Sequence, residues 1–223
     1  KTRRQKVKNF LKADINFYPD KITYIGDRFE GHSSLEGLRE DEELTIMHEW
    51  ETDLMRRHAE FVCQRGGDIL EIGFGMGISA DFIQEQGVKS HTIIELHPQI
   101  AEKAREWAED KPNVTIIEGD WIKILPTLLE GTVRTTHKKF DGMFFDTFGF
   151  WSEPSLFSNM CMPHCKPTSL ISHWNTNDFE GSICRFVNHP NFNISFEVLE
   201  IDPPENDYFN EKTYYFPKVY VNG

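Results

Sequence analysis

The sequence has 223 residues, of which 39% are hydrophobic and 27% are charged, and its formal net charge at pH 7 is −12. This length and composition predict a globular chain with one substantial core, and the excess of acidic residues argues against a nucleic-acid partner. No apolar run approaches the roughly 20 residues that a membrane-spanning helix needs, so we expect a cytoplasmic protein with no membrane partner. The sequence leaves the oligomeric state open between a monomer and a homodimer.

The first predicted segment, residues 1–43, is polar and rich in turn signals, with one short strand at residues 21–25. Apolar side chains then recur at mostly helical spacing over residues 42–63, which predicts an amphipathic helix. We assign residues 1–43 to an N-terminal segment and lid, and residues 44–223 to a second unit that holds the remaining elements.

Strands and helices alternate from residue 68 onward, which predicts a parallel sheet with helices on both faces. Two final strands have no helix between them and predict an antiparallel hairpin at the edge of the sheet. The predicted fold class is therefore α/β, a Rossmann-like, doubly wound and mostly parallel sheet with a C-terminal antiparallel hairpin and an N-terminal lid segment. The strands are expected at residues 68–73, 91–95, 114–118, 140–146, 169–174, 194–201 and 212–221, and the helices at 78–86, 98–109, 121–129 and 155–165.

A glycine-rich loop, residues 71–77 with the sequence EIGFGMG, follows the first strand of this sheet. Glycines let the backbone approach a ligand where side chains would clash. A phosphate-binding loop would carry basic residues, whereas residues 73–84 carry none, and Glu71 and Asp81 are acidic. S-adenosylmethionine bears an ammonium and a sulfonium and no phosphate, so the loop predicts this cofactor rather than a dinucleotide.

Acidic side chains after the next two strands extend the predicted cofactor site. Glu95 ends the second strand, where a carboxylate can accept hydrogen bonds from both ribose hydroxyls. After the third strand, Asp120 can accept a hydrogen bond from the adenine amino group and Trp121 can cover the ring. The predicted cofactor-binding residues are Met47, Glu71, Gly73, Phe74, Gly75, Met76, Gly77, Glu95, Leu96, Asp120, Trp121 and Asp146.

Two acidic residues are candidates for the acceptor site. Asp146 ends the fourth strand, and ligands of open α/β sheets bind at the carboxyl ends of the strands. Glu51 lies on the predicted amphipathic helix, which can cover the pocket; a solvated helical face is the alternative interpretation of Glu51. Cys161 and Cys165 flank a histidine in the run CMPHC, but no second pair follows at zinc-site spacing, so we predict no metal.

Five short runs occur in a characteristic order along the sequence. They are MHEWETDLM at residues 47–55, LEIGFGM at 70–76, IIE at 93–95, FDG with FDT between 140 and 147, and PP to YYFP between 203 and 217. Together they resemble guanidinoacetate N-methyltransferase and the fungal and plant protein arginine N5-methyltransferases. The resemblance implies that Glu51 and Asp146 bind the guanidinium group of the substrate, beside Trp50, and that Glu95 holds the ribose. It also implies that the backbone near Asn175 and Thr176 meets the far end of the substrate.

Guanidinium chemistry agrees with this resemblance. The group is planar, stays protonated at neutral pH and presents several donors, so paired carboxylates can bind it and direct one nitrogen at the sulfonium methyl. One carboxylate then accepts the released proton. We assign Asp146 as the proton acceptor and Glu51 as the orienting clamp, and we take both as the catalytic residues.

The leading hypothesis is an S-adenosylmethionine-dependent N-methyltransferase that acts on the guanidino group of a small molecule such as guanidinoacetate. The alternative acceptor is the δ-nitrogen of arginine, free or in a protein. A small acid would need a carboxylate receptor, for which Arg28, Arg39 or backbone amides are candidates. Two other classes remain open, which are a non-catalytic binding protein on the same fold and an O-methyltransferase with His173 as its base.

Overall fold

The computed structural model describes residues 2–25, 43–130, 139–148, 153–175, 186, 189–205 and 207–222. Three residues named above, Arg28, Arg39 and Thr176, lie outside these ranges. Within them, no helix is long and apolar enough to cross a membrane.

The helices are α1 (Arg3–Phe10), α2 (Thr52–Val62), α3 (Ile78–Glu85), α4 (Pro98–Ala108), α5 (Trp121–Glu130) and α6 (Glu153–Met160), with short 3-10 turns at Glu49–Glu51 and Met162–His164. The strands are β1 (Ile15–Phe17), β2 (Lys21–Ile25), β3 (Glu43–His48), β4 (Asp68–Ile72), β5 (Ser90–Glu95), β6 (Val114–Glu118), β7 (Phe140–Phe145), β8 (Cys165–His173), β9 (Phe192–Glu200) and β10 (Thr213–Val221).

The main sheet has seven strands in the order β6-β5-β4-β7-β8-β10-β9. Its first five strands are parallel, and β10 runs antiparallel to both β8 and β9. The chain therefore forms the predicted α/β sheet and its C-terminal antiparallel hairpin. The last strand of the chain enters the sheet between two earlier strands, so that β9 occupies the edge.

The two faces of this sheet pack against different helices. Buried side chains of α2, α3 and α4, such as Met55, Ile83 and Ile100, belong to one core cluster. Leu125 of α5 and Phe157 of α6 belong to the other. Helices on both faces are what the alternation of strands and helices predicts.

A second sheet of three strands, β1-β2-β3, is formed by the N-terminal part of the chain. Helix α1 joins it to the main sheet through Phe10, whose ring centroid lies 5.3 Å from that of Tyr24, 4.9 Å from that of His97 and 5.8 Å from that of Phe148. These contacts place the N-terminal part at the carboxyl ends of the parallel strands, which is where a lid must lie. The division into residues 1–43 and 44–223 stays a prediction.

The helix predicted over residues 42–63 is wrong in its first part. Glu43–His48 form β3, which pairs antiparallel with β2, and the α-helix begins only at Thr52. The spacing of apolar side chains fits either element, and the hydrogen bonds that β2 offers decide the conformation. His48 then ends the strand, because its ring accepts from the amide of Trp50 while its own amide donates to the carboxylate of Glu51.

A buried chain of hydrogen bonds ties α2 to β8 and β10. The Pro217 carbonyl can only accept, so the Ser172 hydroxyl donates to it (2.7 Å), and Nδ1–H of His58 donates to Ser172 (2.7 Å). Nε2 of His58 then accepts from the Tyr214 hydroxyl (3.1 Å), which in turn accepts from the Asn175 amide (2.9 Å). Burial lowers the pKa of His58 well below its usual value, in agreement with a neutral ring.

We predict that Tyr214→Phe destabilises the protein by about 1–3 kcal/mol, because it leaves the Asn175 amide and Nε2 of His58 without a partner in the core. Urea unfolding followed by circular dichroism measures the change. Tyr220→Phe is the matched control on the same strand, since that side chain is 38% exposed. We expect the control to change stability by less than about 0.5 kcal/mol. Equal effects of the two substitutions would contradict the role of this chain.

Candidate active site

The glycine loop after β4 adopts backbone angles that favour glycine. The φ angles of Gly73, Gly75 and Gly77 are 91°, 55° and 79°, in the left-handed region. A Cβ atom on Gly73 would lie 1.8 Å from the carbonyl oxygen of Asp146, and one on Gly75 would lie 2.6 Å from the sulfur of Met47. The loop therefore brings β3 and the end of β7, with the predicted residues Met47 and Asp146, against the predicted cofactor site.

Glu95 is bound to the same loop by its side chain. Its carboxylate accepts from the amide of Phe74 (2.8 Å) and from the amide of His97 (2.7 Å). Burial raises the pKa of Glu95, and backbone amides that include those of Leu96 and Gly75 oppose this rise. A buried carboxylate at the end of β5, beside an open glycine turn, fits a ligand that carries hydroxyl groups and positive charge. The ribose contact of Glu95 stays a prediction.

Glu71 lies deeper, with no exposed surface. Its carboxylate accepts from the hydroxyl of Ser79 on α3 and hydrogen-bonds Nε2 of His91 on β5 (2.8 Å). These contacts give Glu71 a structural role, since they join the strand before the glycine loop to the helix after it. The predicted contact of Glu71 with the cofactor stays a prediction.

Asp120 and Trp121, predicted to contact adenine, lie in two different environments. Asp120 accepts hydrogen bonds from the two terminal guanidinium nitrogens of Arg3 in α1, at 2.8 and 2.9 Å. Burial raises the pKa of Asp120, but the contact with Arg3 helps to lower it below its usual value. The Trp121 ring is 4% exposed and packs edge-on against Phe145 in the core, which leaves it little surface for a ligand. The adenine contacts of both residues stay predictions.

Glu51 is buried in the short turn before α2. The side chain of Glu51 is 3% exposed, and one oxygen accepts from the amide of His48 (3.3 Å) and from the hydroxyl of Tyr208. Burial, followed by the negative charge of Asp146 and then that of Asp207, raises the pKa of Glu51 well above its usual value. The two predicted catalytic acids thus interact electrostatically, as a shared site requires.

Asp146 is positioned by the backbone at the end of β7, where its amide donates to the carbonyl of Ile72 (2.9 Å). Burial and the negative charges of Glu71 and Glu95 raise its pKa to about 7. Carboxylates that disfavour each other's ionisation bind a cation strongly, because the cation removes the repulsion. The site therefore suits the cationic cofactor and a cationic acceptor.

Aromatic side chains form one wall beside Glu51. The Trp50 ring lies 6.3 Å from Trp174, 6.2 Å from Tyr208 and 6.1 Å from Phe209, measured between ring centroids. Trp50 was predicted at the substrate site, whereas Tyr208, Phe209 and their neighbour Asp207 were not. Their signal in the sequence is a cluster of acidic and aromatic residues directly after the matching run PP.

Asn175 has its polar groups engaged with β10. Its amide donates to the hydroxyl of Tyr214 (2.9 Å) and its side-chain nitrogen donates to the carbonyl of Tyr215 (2.7 Å). The Asn175 amide is therefore not open to a ligand in this structure. Its predicted contact with the substrate stays a prediction, and Thr176, its predicted partner in that contact, lies outside the described ranges.

His173, the candidate base for O-methylation, is buried in the core. Burial lowers the pKa of His173 to about 4, its Nδ1 lies 2.8 Å from the carbonyl of Trp174, and its ring stacks on Phe186. A buried imidazole with this low pKa is a poor general base.

Comparison with known proteins supports the methyltransferase interpretation. The family model described as guanidinoacetate N-methyltransferase matches residues 39–159. Two curated relatives are both named protein arginine N-methyltransferase 2. The one from Yarrowia lipolytica is 29% identical over 86% of this chain and 38% of its own length, and the one from Candida glabrata is 32% identical over 93% of this chain and 53% of its own length. The chain thus spans about half or less of the length of these relatives.

A solved structure of similar fold is an O-methyltransferase from Bacillus cereus in complex with SAH. It is 17% identical, with a TM-score of 0.57, and the match covers 77% of this chain and 80% of that chain. At this identity the likeness concerns the fold, and it agrees with the predicted Rossmann-like class. The family model covers more than half of the sequence, including the glycine loop, Glu51 and Asp146. The chain therefore belongs to the guanidinoacetate N-methyltransferase family, whose members are S-adenosylmethionine-dependent methyltransferases.

Proposed function

We propose that this chain methylates a nitrogen of a guanidino group. The observation that carries the proposal is the pair of acids, Glu51 and Asp146, which interact electrostatically beside the glycine loop and have raised pKa values. A planar cation that donates several hydrogen bonds neutralises such a pair and can be oriented by it. The aromatic wall next to Glu51 adds surface on which a flat cation can stack.

In the proposed mechanism, the cofactor supplies a methyl group on a positively charged sulfur. Glu51 holds the guanidinium, with its own carboxylate oriented by the His48 amide and the Tyr208 hydroxyl. Asp146 accepts one proton from the attacking nitrogen, which would form its new bond to the methyl carbon as the S–C bond of the cofactor breaks. Holding both reactants in one orientation can lower the barrier by roughly 7–11 kcal/mol.

Between the two acceptors, we propose an arginine side chain first and a small guanidino acid second. The relatives' name, protein arginine N-methyltransferase 2, supports arginine, whereas the family model carries the name of guanidinoacetate. The aromatic wall also favours arginine, because its partly exposed rings, those of Trp50 and Tyr208, can cover the three methylene groups of that side chain. Methylation at the δ-nitrogen of arginine and methylation at a terminal guanidino nitrogen both fit this proposal.

A methyl-transfer assay with labelled cofactor tests the proposal across guanidinoacetate, free arginine and arginine-containing peptides. We expect transfer to guanidino acceptors, with the highest kcat/KM for arginine in a peptide. Transfer to none of them would contradict the proposal. If calorimetry then also showed no binding of S-adenosylmethionine, the chain would be a non-catalytic member of its family.

We predict that Glu51→Gln and Asp146→Asn each lower kcat/KM by at least about 100-fold, because each removes one carboxylate from the guanidinium. Binding of S-adenosylmethionine, measured by calorimetry, should stay within about three-fold of the wild type, since the glycine loop and Glu95 provide most of the predicted cofactor contacts. Asp53→Asn is the matched control, because Asp53 is an exposed acid in the first turn of α2, two residues after Glu51. Loss of cofactor binding in Asp146→Asn would show that Asp146 serves the cofactor instead.

We predict that kcat/KM rises with pH through about 7, the pKa of Asp146, and does not fall between pH 7 and about 8.5. The free enzyme must ionise Asp146, whose pKa is raised to about 7, before it can bind a cation and accept a proton. The bound guanidinium favours the ionised acid, so the same limb in kcat should lie at lower pH. The acceptor itself does not titrate in this range, because its pKa is above about 12. A flat kcat/KM between about pH 5.5 and 8.5 would contradict the assignment.

A further inference from the structure

The loop between β9 and β10, residues 201–212, brings a third acid to the acceptor site. Its two ends are joined by a hydrogen bond from the Ile201 amide to the Lys212 carbonyl (3.0 Å). Asp207 in this loop accepts the indole N–H of Trp50 at 2.9 Å, and the next residue, Tyr208, donates its hydroxyl to Glu51. The loop is thereby hydrogen-bonded to two adjacent residues of the predicted acceptor site, Trp50 and Glu51.

Asp207 is held in a form that carries negative charge. One oxygen accepts from Trp50 and the other from the amide of Tyr208 (2.7 Å), and donors to both oxygens favour a carboxylate over a carboxylic acid. Burial raises the pKa of Asp207, while the charges of His48 and Lys21 lower it together with the Trp50 hydrogen bond. The charge of Asp207 reaches Glu51, because it contributes to the raised pKa of Glu51.

The proposed chemistry needs two carboxylates and leaves Asp207 unused. Glu51 and Asp146 orient the guanidinium and accept its proton, whereas the oxygens of Asp207 are occupied by Trp50 and Tyr208. Asp207 can therefore influence an acceptor only through its charge, which lies beside Trp50 and is felt at Glu51. A positive or neutral far end of the acceptor is compatible with this field, and a carboxylate there is repelled.

We propose that Asp207 selects the acceptor by charge, favouring a guanidino group whose far end is neutral, such as arginine within a peptide chain, over one that carries a carboxylate. This inference rests on the proposed function, and it names a specificity residue that the two-acid grip does not contain. It explains why an acid sits beside the indole of Trp50, where a carboxylate-bearing substrate would call for a basic or neutral group.

Two acceptors that differ in one charge test the inference. Nα-acetylarginine amide has a neutral far end, and Nα-acetylarginine has a carboxylate there on the same side chain. For the wild type we expect a higher kcat/KM with the amide. In Asp207→Asn, the ratio of kcat/KM for the acid to that for the amide should rise by about five-fold or more, because one repulsive charge is removed.

Two variants control for net charge and for the fold. Asp202→Asn removes the same charge from an exposed position in the same loop, where Asp202 pairs with Lys212, and should leave the ratio within about two-fold of the wild type. Asp207→Glu keeps the charge and should also keep the ratio. The cofactor affinity and urea midpoint of each variant show whether it is folded.

An unchanged ratio in a folded Asp207→Asn, or an equal change in Asp202→Asn, overturns the inference while leaving guanidino methylation intact. A wild type that methylates neither of these two acceptors overturns the inference, and one that also fails with guanidinoacetate, free arginine and arginine peptides overturns the proposed function as well. A wild type that prefers the acid to the amide would also overturn the inference, and would point to the small guanidino acid as acceptor.

Discussion

The active site depends on one close approach between two backbone segments. The carbonyl oxygen of Asp146 fills the space that a side chain on residue 73 would need, so only glycine fits there. Two backbone hydrogen bonds hold the residues just beyond the strand ends. The Gly73 amide donates to the carbonyl of Ile94 on β5, and the Asp146 amide donates to the carbonyl of Ile72 on β4. The cofactor loop and the acid at the end of β7 are therefore held at one fixed separation. A methyl transfer needs such a fixed geometry, because its rate falls steeply when the reacting atoms are misplaced.

Negative charge around this contact is the second constraint. Glu51, Glu95 and Asp146 all have pKa values raised by burial, and the charges of neighbouring acids raise those of Glu51 and Asp146 further. Such a cluster is unfavourable in the free protein and becomes favourable when cations enter. The cofactor and the proposed guanidinium acceptor both carry positive charge, so the same electrostatic feature can serve two ligands. It also gives the site its expected pH dependence, since the acids must ionise before the ligands bind.

Much of the fold was predictable from the sequence, because the alternation of strands and helices from residue 68 is repeated and local. The site was predictable where a residue ends a strand, as with Glu95 and Asp146, since strand ends meet at one edge of a parallel sheet. Long-range contacts decided the rest. The strand β3 depends on hydrogen bonds from β2, Asp120 is paired with an arginine that lies 117 residues away, and Tyr208 reaches Glu51 across 157 residues. No local pattern shows which distant residues meet, so the acidic and aromatic cluster in the loop after β9 was visible in the sequence but was not assigned to the site.

The position of β10 between β8 and β9 has a consequence for the synthesis of the chain on the ribosome. Strand β9 pairs with β10 along its whole length and occupies the edge of the sheet, yet it is made first. Its hydrogen-bonding groups and its apolar side chains thus have no place in the sheet until β10 has left the ribosomal tunnel. The nascent chain can build the strands around the glycine loop early, but it completes the aromatic wall only after Tyr208 and Phe209, which follow β9, have been made. The proposed acceptor side of the site therefore forms later than the strands that carry the cofactor loop.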